Sequence, residues 1–385
     1  MTRLGEITLE QLRTRRSAKW QTFPAEVLPA FIAEMDFLLA PAIAAAIETA
    51  VHNGDCGYAW PDAELGDALA GFARRRYAWQ LDPAGVGLIP DVMAGVTELL
   101  RLALPEGGGV VINTPVYPPF FSHIRAARCT VVESRLVRDG GGYALDLDAL
   151  EAVFASGVRA YLLCNPHNPT GLVLSRDELE RIVELADRYS VLVFADEIHA
   201  PLVLPGAQHT AYLSLGELAC SHAIALVSAS KGWNIPGLKC AQAVAMSAPM
   251  RALLGRLDED TWERAGTLGI VASIAAYRDS VEWLDDVVRL LDGHRMLLRS
   301  LIERDLTGVR YTPPAAGYLA WLDCRELALS DEPVDVFLER GRVALGPGLK
   351  FGASGAGHVR ITFATTEPIL RDIVARMAAA LRTRD

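Results

Sequence analysis

The residues of this sequence best suited to chemistry sit in four short polar stretches, each following an apolar run. Residues 110–113 lead into Thr114-Pro115-Val116-Tyr117, and residues 160–164 into Asn165-Pro166-His167-Asn168. Residues 191–195 lead into Asp196-Glu197-Ile198-His199, and residues 223–227 into Ser228-Ala229-Ser230-Lys231. Ligands of an open α/β sheet bind beyond the carboxyl ends of its strands, so an aromatic ring, an amide, a carboxylate and an amine with two hydroxyls would meet at one edge. An amine that can form a Schiff base and a carboxylate that can keep a pyridine nitrogen protonated suit pyridoxal 5'-phosphate (PLP), as do a flat aromatic surface and hydroxyls for a phosphate. Each residue also has a plainer explanation. Lys231 could be a surface lysine, Asp196 a helix cap, Asn168 a turn former, and Tyr117 and His199 satisfied core residues.

The elements that must hold these residues follow from the hydrophobic pattern. The runs at 110–113, 129–132, 160–164, 191–195, 223–227 and 241–245 are apolar nearly throughout, as strands buried on both faces of a mostly parallel sheet are. Between two of them, 176–189 carries Leu179, Ile182, Val183 and Ala186 at helical spacing, with Ser175 as N-cap and Glu178 three residues on. That is the pattern of a βαβ-type α/β domain. Beyond about residue 250 the pattern changes to a long helix at 270–304, short strands at 318–323, 343–345 and 359–363, and a closing helix at 368–382. It reads as a smaller α+β domain. Pro41 fits the first turn of an Ala-rich helix that ends near Gly54. The expected divisions are an N-terminal arm at 1–44, a large domain at 45–275 and a small C-terminal domain at 276–385.

Composition removes several function classes. With 385 residues, 51% hydrophobic and 22% charged, the chain has enough apolar surface to fold as a globular protein. Lys+Arg 37 against Asp+Glu 47 gives a net charge of −10, opposite to the footprint of a nucleic-acid binder. The first twenty residues have no apolar stretch of the secretory kind, and Glu34, Asp36 and Glu48 interrupt the most apolar region, so no membrane span is expected. The six cysteines are scattered, with no C-x-x-C pair and no histidines at metal spacing, which predicts buried thiols and no metal site. A cytoplasmic location is expected.

The stretches N-P-H-N-P-T-G (165–171), A-D-E-I-H-A (195–200) and S-A-S-K-G-W-N-I-P-G-L-K (228–239), in this order, resemble the fold-type I PLP enzymes of the class I/II aminotransferase superfamily. Within that superfamily, five further stretches look like the cystathionine β-lyase, or C–S lyase, branch. They are A-E-M-D-F (33–37), C-G-Y (56–58), T-P-V-Y-P-P-F (114–120), A-D-E-I-H-A-P-L-V (195–203) and N-I-P-G-L-K-C-A (234–241). The likeness runs from about residue 15 to the C-terminus, and its strength lies in the ordered set. It implies a PLP-transferase fold similar to that of aspartate aminotransferase: a mostly parallel central sheet with a smaller α+β domain.

The resemblance also implies roles. Lys231 would carry the cofactor and act as base at Cα, and Asp196 would pair with the pyridine nitrogen. Asn168 and His199 would approach the phenolic oxygen, while Tyr117 would stack on the ring. Ser228, Lys239 and the backbone N–H groups of Met93 and Ala94 would hold the phosphate. Tyr58 would reach the partner subunit's phosphate, which implies a homodimer. Arg360 would grip the substrate carboxylate, with Ala33, Glu34, Tyr117 and Asn168 lining the substrate site. Glu34 stands where aspartate is more usual, Pro201 replaces an aspartate common in relatives, and Lys239 stands where many aminotransferases place an arginine fork. The implied reaction is α,β-elimination on cystathionine or another S-substituted cysteine, releasing thiol, pyruvate and ammonia. An aminotransferase of an amino acid and 2-oxo acid pair is the alternative. A non-catalytic binding role, known for some relatives fused to DNA-binding segments, is the third reading.

Overall fold

A computed structural model of the chain describes residues 4–382. Its centre is a seven-stranded sheet in the order Val86–Ile89, Ala241–Val244, Ala223–Val227, Leu192–Asp196, Ala160–Cys164, Gly109–Thr114, Thr130–Arg135. The last five strands of that order run parallel to one another, and Ala241–Val244 is antiparallel to both of its neighbours. The apolar run at 241–245 is thus a strand, as expected, but it reverses direction because it re-enters the sheet directly from the loop after Lys231, without a crossover helix.

The strands are buried on both faces. One layer packs Ile89, Val96, Leu99, Val110, Ile112 and Leu226; the other packs Val111, Tyr161, Leu163, Leu179, Ile182 and Val193. This alternation along each strand explains the unbroken apolar runs in the sequence. Helix Arg176–Arg188 begins with the expected capping box. Ser175 Oγ accepts from Glu178 N at 3.2 Å, and Glu178 Oε2 accepts from Ser175 N at 2.7 Å.

The C-terminal part holds a four-stranded antiparallel sheet in the order Arg310–Tyr311, Leu319–Asp323, His358–Thr362, Gly346–Pro347. Leu28–Pro29 pairs with Val343–Ala344, which brings the N-terminal arm to this side of the molecule. The single helix expected at 270–304 is two, Thr267–Asp279 and Val281–Asp305, broken at Ser280. There the Ser280 hydroxyl donates to Ala275 O at 3.1 Å and the Ser280 carbonyl accepts from Trp233 Nε1 at 2.9 Å, two bonds that compete with helix continuation. The divisions at 44/45 and 275/276 fall within helices Pro41–His52 and Thr267–Asp279. Among the described residues no helix is long and apolar enough to cross a membrane, and no group of His, Cys, Asp and Glu could hold a metal ion.

Candidate active site

Strand register places the site. Asp196, the last residue of the central strand, lies opposite Cys164 on one side and Leu226 on the other. The polar stretches that follow 164 and 227 therefore open beside it. A cavity of about 310 Å³ lies there, walled by Tyr117, Asn168, Asp196, His199, Ser228 and Lys231, with Met93, Lys239 and Ala33 at its edges. That volume is within the usual range for small-ligand sites.

Lys231 is half-buried, and its Nζ donates to Ala33 O at 3.0 Å. Burial, followed by the nearby Arg360 charge, lowers its amine to about 8, while Glu34 and Asp196 pull the other way. Its neutral form is therefore accessible near neutral pH, as a nucleophile or base requires. Asp196 shows the complementary effect. Burial pushes its carboxyl up to about 7 although Oδ1 accepts from Ile198 N at 3.1 Å. A carboxylate destabilised in this way is held ionised by a cationic partner, and a protonated pyridine nitrogen is one.

Asn168 and Arg360 are joined: Arg360 Nη1 donates to Asn168 Oδ1 at 3.2 Å, leaving the amide NH2 of Asn168 as a donor on the cavity wall. Arg360 sits in the middle of strand His358–Thr362, opposite Trp321 and Gly346. It is buried, its Nη2 donates to Phe31 O at 2.7 Å, its guanidinium lies 5.1 Å from the Phe351 ring centre, and its Nε has no hydrogen-bond partner. The Arg360 charge lies close enough to Lys231, His199 and Tyr117, all on the cavity wall, to act on each of them. His199 also keeps an unpartnered buried Nδ1. Burial, with Lys231 and Arg360 nearby, lowers it to about 3, so it is a neutral imidazole. Its ring meets Tyr318 edge-on at 6.2 Å.

At the other end of the cavity, Asp91 caps helix Val92–Ala103. The Asp91 Oδ1 atom accepts from Ala94 N at 2.8 Å, so the N–H expected from Ala94 for a phosphate is already engaged. The helix's first two N–H groups, of Val92 and Met93, are the unpaired ones that face this end. Lys239 Nζ lies 3.1 Å from Asp91 Oδ2. Burial opposes ionisation of Asp91, but the Ala94 N–H and the Lys239 ammonium together hold it below the usual carboxylate range. Ser228 Oγ lines the cavity while donating to Cys240 O at 2.7 Å and accepting from Ser230 N at 3.1 Å.

Of the expected site residues, Tyr58 lies at a separate cavity, and Glu34, whose charge still acts on Lys231, is hydrogen-bonded within the arm. Glu34 faces the arm, where Oε1 accepts from Ser17 Oγ at 2.6 Å. Tyr58 is 88% exposed and borders a separate cavity with Trp60, Thr267 and Ile270. The arm itself is fastened by contacts to which the motifs assigned no role. Asn234 Oδ1 accepts from Met35 N and its Nδ2 donates to Met35 O, both at 2.8 Å. Tyr318 OH donates to Ala33 O at 3.0 Å, and Lys19 Nζ lies 2.8 Å from Asp36 Oδ2 with both side chains buried. His123, Cys164 and Cys240 also reach the cavity. Burial raises both thiols, the Cys240 one to about 11, and keeps them as S–H. The bonds from Asn234 and Tyr318 join residues about 200 to 285 positions apart, so only the fold reveals them.

The donor set fits PLP: an amine with depressed basicity, a buried carboxyl wanting a cation, an amide NH2, an aromatic wall, and a helix start with a lysine at the phosphate end. Known proteins are similar over the same span. A chain of Mycobacterium leprae named "Putative cystathionine beta-lyase" is 44% identical over 400 residues, covering 98% of both chains. The cystathionine beta-lyase of Corynebacterium glutamicum is 34% identical over 374 residues, 97% of this chain and 99% of the other. The crystal structure of cystalysin from Treponema denticola, which contains a PLP cofactor, superposes with a TM-score of 0.91 at 26% identity, covering 96% of this chain and 97% of that one. The sequence model of the family described as aminotransferase class I and II matches residues 33–377, from Ala33 on the arm to Met377 in the last helix. By that match and those end-to-end likenesses, this chain belongs to the class I and II aminotransferase family and has its fold.

Proposed function

We propose that this protein is a PLP-dependent C–S β-lyase, acting by α,β-elimination on cystathionine or a related S-substituted cysteine and releasing thiol, pyruvate and ammonia. The cofactor is supported by Lys231 and Asp196 facing one cavity with opposed shifts in acidity. The lyase outcome is carried by one observation, the full-length likeness to chains named cystathionine beta-lyase.

PLP, when bound, supplies an electron sink for the charge left at Cα once a proton is removed. The chain's own residues do the rest. Lys231, made less basic by burial, takes the proton from Cα and has its amine oriented by Ala33 O. The carboxylate of Asp196 fixes a positive ring nitrogen, which burial makes it favour. Arg360 uses its guanidinium to grip the substrate α-carboxylate, and its bonds to Asn168 and Phe31 set the plane of that fork. Tyr117 packs against the ring, and its hydroxyl is kept protonated by burial. Ser228, Lys239 and the helix start at Val92 and Met93 hold the phosphate.

Tyr58 serves this site from a second copy of the chain, a role supported by its exposure beside Trp60, which is 73% exposed. The protein is accordingly a homodimer, located in the cytoplasm, with an amino acid as its small-molecule substrate. The arm at 1–44, the large part at 45–275 and the small part at 276–385 are proposed as its functional divisions.

Purified protein given cystathionine and no 2-oxo acid should release thiol and pyruvate through many turnovers. A reaction that stops after one equivalent and resumes on addition of a 2-oxo acid would instead establish the aminotransferase reading, which the same residues could serve.

A further inference from the structure

The carbonyl of Ala33 holds two donors at once. Lys231 Nζ reaches it at 3.0 Å and the Tyr318 hydroxyl also at 3.0 Å, so both acceptor sites of one oxygen are taken. The direction of each bond is fixed, because a carbonyl oxygen can only accept. Three parts of the chain meet at this oxygen: the arm at Ala33, the short helix Ala229–Gly232 at Lys231, and Tyr318, one residue before strand Leu319–Asp323 of the antiparallel sheet.

Tyr318 is fully buried and its backbone is tied on both sides. Phe363 N donates to Tyr318 O at 2.9 Å, Gly317 N donates to Leu202 O at 2.8 Å, and the Tyr318 ring lies edge-on to His199. Burial raises the phenol against the pull of Arg360, and Glu34 and Tyr117 add to the rise, so the hydroxyl keeps its hydrogen. The positive end of that O–H bond therefore points at the oxygen used by the Lys231 amine. A carbonyl favours an ammonium over a neutral amine, since the charged group is the stronger donor. A second donor on the same oxygen reduces that preference. The charges that act on Lys231 are Arg360 from the antiparallel sheet, Glu34 from the arm, Asp196 from the parallel sheet and Lys239 from the loop that follows.

We propose that Tyr318 is a positioning residue for Lys231: its hydroxyl fixes the Ala33 carbonyl that orients the amine and, by sharing that oxygen, keeps the amine available as an uncharged base. The inference rests on the role of Lys231 proposed above and adds to it a residue that no motif marks.

The test reads Lys231 directly in the full-length apoprotein, by competitive acetylation with acetic anhydride from pH 6 to pH 10 and peptide mass mapping. In the wild type the labelling midpoint should lie near about 8. Tyr318→Phe removes the hydroxyl, keeps the ring and leaves Arg360, Glu34, Asp196 and Lys239 in place. The midpoint should then rise by about half a unit to one unit, as the loss of one hydrogen bond implies, and labelling at pH 7 should slow about three- to tenfold. Tyrosine fluorinated at ring position 3, a stronger donor of nearly the same size, should lower the midpoint when placed at 318. The rising limb of kcat against pH should move the same way in the PLP-loaded proteins. An unmoved midpoint in Tyr318→Phe, or in the fluorinated protein should Tyr318→Phe not fold, overturns the role of Tyr318. Borohydride reduction separates this from the parent reading. PLP trapped on Lys231 with an unmoved midpoint removes Tyr318 alone, whereas a moved midpoint with no PLP trapped keeps Tyr318 acting on Lys231 and removes the cofactor assignment.

Discussion

At Asp196 burial and charge oppose each other, and the cofactor reconciles them. Without PLP its carboxyl titrates near 7, against about 4 in an unfolded chain. The native state therefore holds a proton that the unfolded chain releases. The stability this gives is complete below about pH 4 and is lost as the pH rises through about 7. Asp196→Asn cannot titrate. The apoprotein melting temperature of the wild type should thus fall more steeply than that of the variant between pH 5 and pH 8 in scanning calorimetry, and PLP should raise the variant's less. Parallel curves would contradict the assigned burial effect. Lys231 and Asp196 were legible in the sequence because each closes or follows an apolar run that can only be a buried strand. The contacts of Thr97 with His123, Asn234 with Met35 and Tyr318 with Ala33 were not, because each joins residues far apart along the chain and only the fold brings them together.

Among the elements, the parallel strands and the capped helix Arg176–Arg188 were readable because pattern and cap agree. The reversal of Ala241–Val244 and the break at Ser280 were not, since direction is absent from periodicity and one of the two bonds at the break comes from Trp233, 47 residues away. The arm is also fastened by a buried ion pair. Lys19 and Asp36 are both buried, Trp20 Nε1 donates to Asp36 at 3.1 Å, and this group anchors the segment that supplies Ala33 O to Lys231. Removing one partner of a buried pair strands the other charge, at a cost of about 3–5 kcal/mol. Lys19→Met should lose that much in urea unfolding, whereas a loss under 1 kcal/mol would mean that the arm is held by its other bonds, those of Asn234 and Tyr318 among them. Gly171 makes a comparable junction: at φ +69° an added Cβ would run into Pro314, so the turn that carries Asn168 packs directly on the C-terminal part.

For the whole molecule, the two sheets divide the work. The parallel sheet presents Asp196 and Lys231, and the antiparallel one presents Arg360 through Asn168. Fold and cofactor chemistry were legible from the ordered motifs, while the reach of Tyr58 concerns a second copy and so lies beyond any one chain. Sedimentation at micromolar concentration should give a dimer, and Trp60→Asp should shift it toward monomer with weaker PLP retention. A monomeric wild type that holds PLP firmly would remove Tyr58 from the site. The central claim, that PLP is held covalently by Lys231, is tested most directly by borohydride reduction of the holoprotein followed by peptide mass mapping. The account predicts a single phosphopyridoxyl group on the peptide containing Lys231. An unmodified Lys231, with the label elsewhere or absent, would contradict it.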